Sequence, residues 1–582
     1  MATSESDFLG DSLAFTSELL ESYDKLDISK RTYVFGVLVP SLGFFTLTIL
    51  TAVLLELPLF VRLPIPGLGA LVFVAAALYP KVYLSQRKVA IEKQLHLVMT
   101  HMTVLSTTNI DRMEVFRTLA AEEEYGILAD EIAHVVHLVD TWNQSLDDAC
   151  RRRAKEVASP ALSDFFDRLG YTLGAGQELS DFLLSEQSAM IRNYSTVYEG
   201  ALGNLEVMKD LYMSMILSMT FALVFATVLP ILTGNDPTAT VSAVIVLFMF
   251  VQVGFFLAIR AIAPYDPVWY HPEEEDAPTD LRLLVSFVLG ATLTVALVVV
   301  TAGGLFGFTP IGLGDLLFFL DEVPLPLYLA VPVTPLVIPG IVYRVEEQMI
   351  TARDGEFPNF IRALGATESA KQSTTSAVLE TLREKDFGPL SPDVDRLYRR
   401  LNMRIGPVES WRLFSVDTRS YLIQKFSEMY VIGRQMGGDP KQLGELISRN
   451  MSTVNQLRQQ RQQAAVTLIG LLYGITTSSA FAFFIGLEVV NVLADLTEEF
   501  SVSGSGQFDF GQLIYAGVYD IPLIEFLLLT IILFNGVLSS LMIRTIDGGN
   551  KMNAYIHFVM LVWLGCLTAV GTRMLVSTIL AV

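Results

Sequence analysis

Nine runs of about twenty apolar residues punctuate the 582-residue chain, near 34–57, 66–84, 212–233, 239–263, 281–303, 324–343, 464–488, 522–545 and 555–580. A helix rises about 1.5 Å per residue, so about twenty residues cross a hydrocarbon layer ~30 Å thick. Only helices and closed barrels satisfy their own backbone in lipid, and barrel strands are roughly half this length. The pattern therefore predicts an all-α polytopic membrane protein with about nine transmembrane helices. Composition agrees: 52% of residues are apolar, 17% are charged and mean hydropathy is +0.48. The sixth run is the least regular. It carries Pro324, Pro326, Pro332, Pro335 and Pro339, which a spanning helix tolerates only where neighbours satisfy the freed carbonyls.

Lysine and arginine set the orientation. With the N-terminus inside, the outer segments are 58–65, 234–238, 304–323, 489–521 and the extreme C-terminus, and together they hold one basic residue, Arg62. Arg573 falls within the ninth run, and the other 38 of the 40 basic residues lie inside or at the inner border. Positive charge marks the cytoplasmic side. The expectation is a multi-pass protein of the cell membrane, N-terminus cytoplasmic and C-terminus extracytoplasmic. The acidic first thirty residues precede a run that starts too late and is too long for a secretory leader.

The chain then divides into a cytoplasmic segment 1–33, spans one and two (34–84), a first polar domain (85–210), spans three and four (211–263), an acidic linker (264–280), spans five and six (281–343), a second polar domain (344–462) and spans seven to nine (463–582). The halves echo each other. Tyr125-Gly126-Ile127-Leu128 answers Phe387-Gly388-Pro389-Leu390 at a spacing of 262 residues, and Gly176 answers Gly438 at the same spacing. Similarity at a fixed spacing points to duplication. Both domains read as helical. Ser159-Pro160, Ser391-Pro392-Asp393 and Asp439-Pro440-Lys441-Gln442 have the form of helix starts, with capping side chains and first-turn prolines. Val394, Leu397, Leu401 and Ile405 give one apolar helix face. The final helix of each domain, about 190–210 and 440–462, has no breaker before the next span.

The motifs of catalysis are missing. The chain holds no phosphate-binding Gly-x-x-x-x-Gly-Lys-Ser/Thr, no Gly-x-Ser-x-Gly and no His-Glu-x-x-His. Its two cysteines, Cys150 and Cys566, fall in different compartments, so no disulfide framework is expected. Glu131, His134 and His137 share a helical face, but three ligands on a solvated helix make a poor metal site. No enzymatic activity, cofactor or metal is expected. Within the spans, Glu525 and Arg573 lie at similar depth near the outer ends of antiparallel neighbours and are expected to pair. No carboxylate stands at mid-membrane, as an ion-driven transporter would need.

Charge separates the two polar domains. Residues 85–210 carry 12 basic and 20 acidic side chains, whereas 344–462 carry 18 and 15, in a chain of net charge −21. The densest basic patch is Arg396, Arg399, Arg400 and Arg404. Its plain reading is positive-inside anchoring; its functional reading is a docking face for an acidic cytosolic partner, since arginine forms durable carboxylate pairs. Arg152 and Arg153 read as ordinary exposed charges of the acidic domain. Regular aromatic interleaving for nucleic acid is absent. An acidic chain in which arginine outnumbers lysine suits a salt-rich cell, where carboxylates are screened, and points to a halophilic archaeon.

Two segments carry a family resemblance: Tyr125 to Leu183, with Gly174-Ala175-Gly176-Gln177-Glu178-Leu179, and Phe387 to Leu446, with Met436-Gly437-Gly438-Asp439-Pro440. With the duplicated layout they resemble the type II secretion system F-domain superfamily. Within it, length, span number and acidic composition look most like the membrane platforms of the archaellum, the archaeal flagellum; adhesion-pilus platforms share the plan. The resemblance implies a platform, dimeric with a second copy of itself, beneath a filament of pilin-like subunits (archaellins), worked on by a hexameric cytosolic secretion-type ATPase that supplies energy for assembly and rotation. A permease driven by a separate ATPase would need a polar path through the spans. A receptor would need a large outer domain.

Overall fold

The computed structural model describes residues 33–54, 64–108, 110–234, 236–264, 266–272, 280–305, 313–316, 323–502 and 520–580. The acidic N-terminal segment, Arg62, Asn235, most of 304–323 and of 489–521, and the linker residues 273–279 lie outside them.

The helices follow in order: α1 Val39–Leu54, preceded by a π-turn at Val34–Leu38; α2 Pro64–Ser106; α3 Arg112–Ala120; α4 Ile127–Trp142; α5 Leu146–Ala154; α6 Pro160–Gly174; α7 Leu179–Val228; α8 Pro237–Ile262; α9 Leu281–Leu305; α10 Leu327–Val333; α11 Val337–Lys371; α12 Thr375–Leu382; α13 Ser391–Asn402; α14 Pro407–Thr418; α15 Tyr421–Gln435; α16 Pro440–Val502; α17 Ile521–Asp547; and α18 Ala554–Leu580. No strand occurs among the described residues, only an isolated bridge between Trp269 and Ser420. The chain is an all-α polytopic membrane protein. Seven helical stretches among the described residues are long and apolar enough to cross a bilayer. The first apolar run falls in the π-turn and α1, where Val34–Leu50 counts as a shorter apolar helix, and the second in the first part of α2.

Two compact units are present: Met1–Arg192 with Ile432–Asp439, and Asn193–Val431 with Pro440–Val582. In the first, the polar end of α2 and helices α3 to α6 close over Leu95, Val98, Phe116, Leu119, Ile132, Phe165, Phe166 and Leu169, all buried. Helix starts obey the local chemistry. Ser145 accepts from Asp148 N–H at 3.4 Å at the head of α5, and Ser159 accepts from Leu162 N–H at 3.4 Å at the head of α6. Gly170 lets α6 lie on α5: a Cβ there would stand 2.8 Å from the Asp147 carbonyl.

In the second unit, α7, α8, α16, α17 and α18 share a core that includes Tyr212, Ile216, Phe248, Leu472, Phe483, Leu528, Ile532 and Leu561. α17 is the inner helix, with 61% of its apolar window buried against 11% for Leu281–Gly304 of α9. Two small polar groups lie within this core. Gln252 Nε2 donates to Asn535 Oδ1 at 2.6 Å, Asn535 Nδ2 to Thr476 Oγ1 at 3.0 Å, and the Thr220 and Ser479 hydroxyls meet at 2.9 Å. The proline-rich sixth run survives as α10, a 3-10 turn at Thr334–Leu336 and α11. Thr334 Oγ1 donates to the Ala330 carbonyl at 3.0 Å and accepts from Trp563 Nε1 at 2.9 Å, a neighbour's help of the kind the prolines require.

Helix order recurs between the halves, and so do the left-handed residues: Gly126 and Gly388, Asn143 and Arg404, and Gly176 and Gly437 are spaced 261 or 262 residues apart. The last pair shifts the sequence match by one residue, from Gly438 to Gly437. One predicted helix start is corrected. α13 begins at Ser391 itself, after a 3-10 turn at Gly388–Leu390, so Ser391 is inside the helix. Its hydroxyl accepts from Phe387 N–H at 2.8 Å instead of capping forward. The apolar seam of α13 shortens with it: Val394 and Leu397 are buried, whereas Ile405 lies beyond the helix end. α7 and α16 are single helices of 50 and 63 residues, each continuing from a polar domain into a span.

Candidate functional site

The arginine patch lies on and just after α13. Its first three members are engaged within the domain. Arg396 pairs with the buried Asp393 and, at 3.0 Å, with Asp417; Arg399 pairs with Asp395; Arg400 Nη2 reaches Asp417 at 2.7 Å. Arg400 is only 17% exposed, against 69% for Arg399. Arg404 is exposed, in a left-handed conformation past the helix end, and no carboxylate partner for it is found among the described residues. The outward-facing charge of the patch is thus Arg396, Arg399 and Arg404, with Arg399 the most exposed of the three paired members, beside the exposed Met403 and Val408. Of the four, Arg400 does not face outward, because α13 turns it onto α14, where it pairs with Asp417. Burial raises the Asp393 carboxyl, and Arg353 and Arg396 oppose that shift.

In the first domain, Glu131 points inward. It is 1% exposed and held by Arg87 at 3.2 Å and Arg153 at 2.5 Å, while His134 and His137 face solvent. The three do not converge. Arg153 is 13% exposed, so it is a structural partner of Glu131 and not the ordinary surface charge its neighbours suggest.

At the ends of α17 and α18 remote from the turn that joins them, Arg573 Nη1 lies 3.7 Å from Glu525 Oε1, so the two residues meet. Sequence reasoning missed its third member: Glu488 on α16, 3.6 Å from Arg573 Nε. Glu488 sits at the last position of an apolar run, where a boundary acid looks unremarkable.

A second omission is larger. Past the apolar part of α11 and before that of α16, Arg458 is buried between Asp266 and Asp354. It donates to Asp266 at 2.6 and 2.7 Å and to Asp354 at 2.7 Å. Ser420 donates to Asp354, and Asn455 Nδ2 donates to the Asp354 carbonyl at 2.7 Å. Burial would discharge the guanidinium, but the Asp266 and Asp354 carboxylates more than offset it. Burial lifts Asp354 to about 6 against the pull of Arg458 and Ser420. The signal was present: Ile350, Asp354, Phe357 and Ile361 share one apolar helix face, and an acid there requires a buried partner. Next to this cluster, Arg461 donates to the Ile546 and Thr545 carbonyls at 2.6 and 3.0 Å, tying α16 to the end of α17. A groove of about 530 Å³ lies between α7 and α16, lined among others by Glu199, Glu206, Lys209, Gln460 and Thr467.

Residues 98–227 match the family described as type II secretion system (T2SS), protein F, covering most of the first polar domain and the third span. Over 563 residues, 96% of this chain and 97% of the relative, the sequence is 32% identical to Flagella accessory protein J of Methanocaldococcus jannaschii. The chain belongs to the Flagella accessory protein J family. A second member, from Methanococcus voltae, is 32% identical over 520 residues, 89% of this chain and 91% of that one. No solved structure matches the chain. Membership makes this an archaellum membrane platform carrying a type II secretion F domain. The F-domain match contains the buried Glu131 and its partner Arg153, and the arginine patch and Arg458 belong to the second half.

Proposed function

We propose that this platform transmits work from a separate cytosolic secretion-type ATPase to the pilin-like subunits of an archaellum, for filament assembly and rotation. The observation that carries the reading is the continuity of α16. It runs as one 63-residue helix from the second polar domain into a span, so a displacement of that domain becomes a displacement of the span. The chain has no phosphate-binding loop, which suits a machine part driven by a partner. The same reading places the protein in the cell membrane as a homodimer, polar domains in the cytoplasm. The excess of acid over base supports a salt-rich host.

The basic second domain is the ATPase dock in this reading, through Arg399 and Arg404. The test is a strain lacking the chain, complemented with the wild type or with Arg399→Glu/Arg404→Glu. Full-length protein is purified from membranes and the co-purifying ATPase is measured, with filaments counted by microscopy. We expect capture to fall at least tenfold, filaments to be lost and membrane levels to hold, since exposed substitutions cost little stability. Undiminished capture would leave positive-inside anchoring as the role of the patch. Filaments in the strain lacking the chain would end the platform reading.

A further inference from the structure

The segment joining the two halves is held at residues 266–270 and at Asp280. α8 ends at Ile262, and the residues just beyond it hold the second helical domain at several points. Asp266 takes both forks of Arg458 at 2.6 and 2.7 Å, and Arg458 also donates to the Pro267 carbonyl at 2.9 Å. Tyr270 N–H donates to the Arg419 carbonyl at 2.9 Å and Tyr421 N–H to the Val268 carbonyl at 3.0 Å, setting Trp269 opposite Ser420 in an antiparallel bridge. Trp269 Nε1 donates to Glu347 at 2.8 Å, and the same carboxylate accepts from Asn550 N–H at 2.5 Å, in the turn between α17 and α18. At the far end, Asp280 receives Arg419 at 2.6 Å.

We propose that residues 266–270 form the joint that carries displacement of the second helical domain to α8, and so into the membrane helices of the first half. The inference rests on the platform reading and adds where the work passes. A polar linker of this length would otherwise behave as a slack coil that transmits nothing until taut. Here it is replaced by a bidentate, charge-assisted pair, which is strong and directional. Asp266 is 7% exposed and Arg458 8%, so water does not compete for the pair. α8 meets α17 through Gln252 and Asn535, so motion at Ile262 reaches the inner helix of the bundle.

The test removes the pair and then replaces it covalently. Asp266→Asn takes the charge from the strap and leaves Asp354 on Arg458. Trp269 and Ser420 face each other as the narrow pair of an antiparallel bridge, about 4.5 Å between Cα atoms, within disulfide range. The native cysteines are buried and do not interfere. In full-length protein in its host membrane, we expect Asp266→Asn to lower filament number at least tenfold while ATPase capture and membrane level hold. Adding Trp269→Cys and Ser420→Cys restores assembly under mild oxidation and loses it again on reduction. Normal assembly by Asp266→Asn overturns the joint, as does no recovery on oxidation where Trp269→Cys/Ser420→Cys alone still assembles filaments. Neither result touches the platform reading, which stands or falls with filaments in the strain lacking the chain.

Discussion

Asp354 sits between forces of opposite sign: burial lifts its carboxyl to about 6, while Arg458 and Ser420 pull it down. Its folded pKa stays above the ordinary 3.8 of an unfolded chain, so the folded state binds the proton more tightly. For this group, stability then falls as pH rises from about 4 to about 6. We expect the wild type to gain stability over Asp354→Asn as pH drops through that window, read from paired thermal melts in detergent. An opposite slope would mean that the Arg458 bond outweighs burial. The Glu488–Arg573–Glu525 triad gives a second test. Arg573 keeps Glu488 when Glu525 is lost, so Glu525→Gln is expected to cost less than Arg573→Leu. The Glu525–Arg573 cycle is expected to show coupling above about 0.5 kcal/mol. Additive effects would mean that Arg573 is satisfied at the membrane surface. The pair was legible from matching depth on antiparallel spans. Glu488 was not, because depth alone does not say which third helix turns toward the pair.

The crossing of α11 and α16 is set by two glycines. A Cβ at Gly365 would stand 2.1 Å from the Pro440 carbonyl oxygen, and one at Gly444 2.7 Å from the Ile361 carbonyl oxygen. Both obstacles are backbone, so no rotamer change relieves them. Gly365→Ala is therefore expected to destabilise by about 1–3 kcal/mol. Gly355→Ala on the same helix meets nothing within 4 Å and is expected to stabilise by up to about 1 kcal/mol through helix propensity. Thermal melts of the two variants settle it; equal shifts would deny the close crossing. At this scale sequence was a good guide to existence and a poorer one to ends. Apolar runs and the absence of breakers anticipated α7 and α16. The start of α13 was misplaced because Ser391 has two uses for its hydroxyl, and only the 3-10 turn before it decides between them.

Orientation belongs to the whole molecule, because each span's side follows from the one before it. The strap region tests it best. A reporter inserted at 270–272 is expected to read cytoplasmic, and one fused after Val582 extracytoplasmic, following the near-total absence of Lys and Arg from the proposed outer segments. A strap reporter reading outside would reverse every later assignment and place the arginine patch out of reach of a cytosolic ATPase. By itself, the sequence determined the membrane class, the helical content and the positions of the long helices. Those follow from local quantities: the length of an apolar run, its period and the charge of its flanks. Only the tertiary structure decided that Arg400 turns inward while Arg404 stays out, that Glu131 leaves its histidine neighbours for two arginines, and that Asp266 reaches across 192 residues to Arg458. A buried charge takes whichever partner the packing brings within about 3 Å, and that choice is made by helices far apart in the chain.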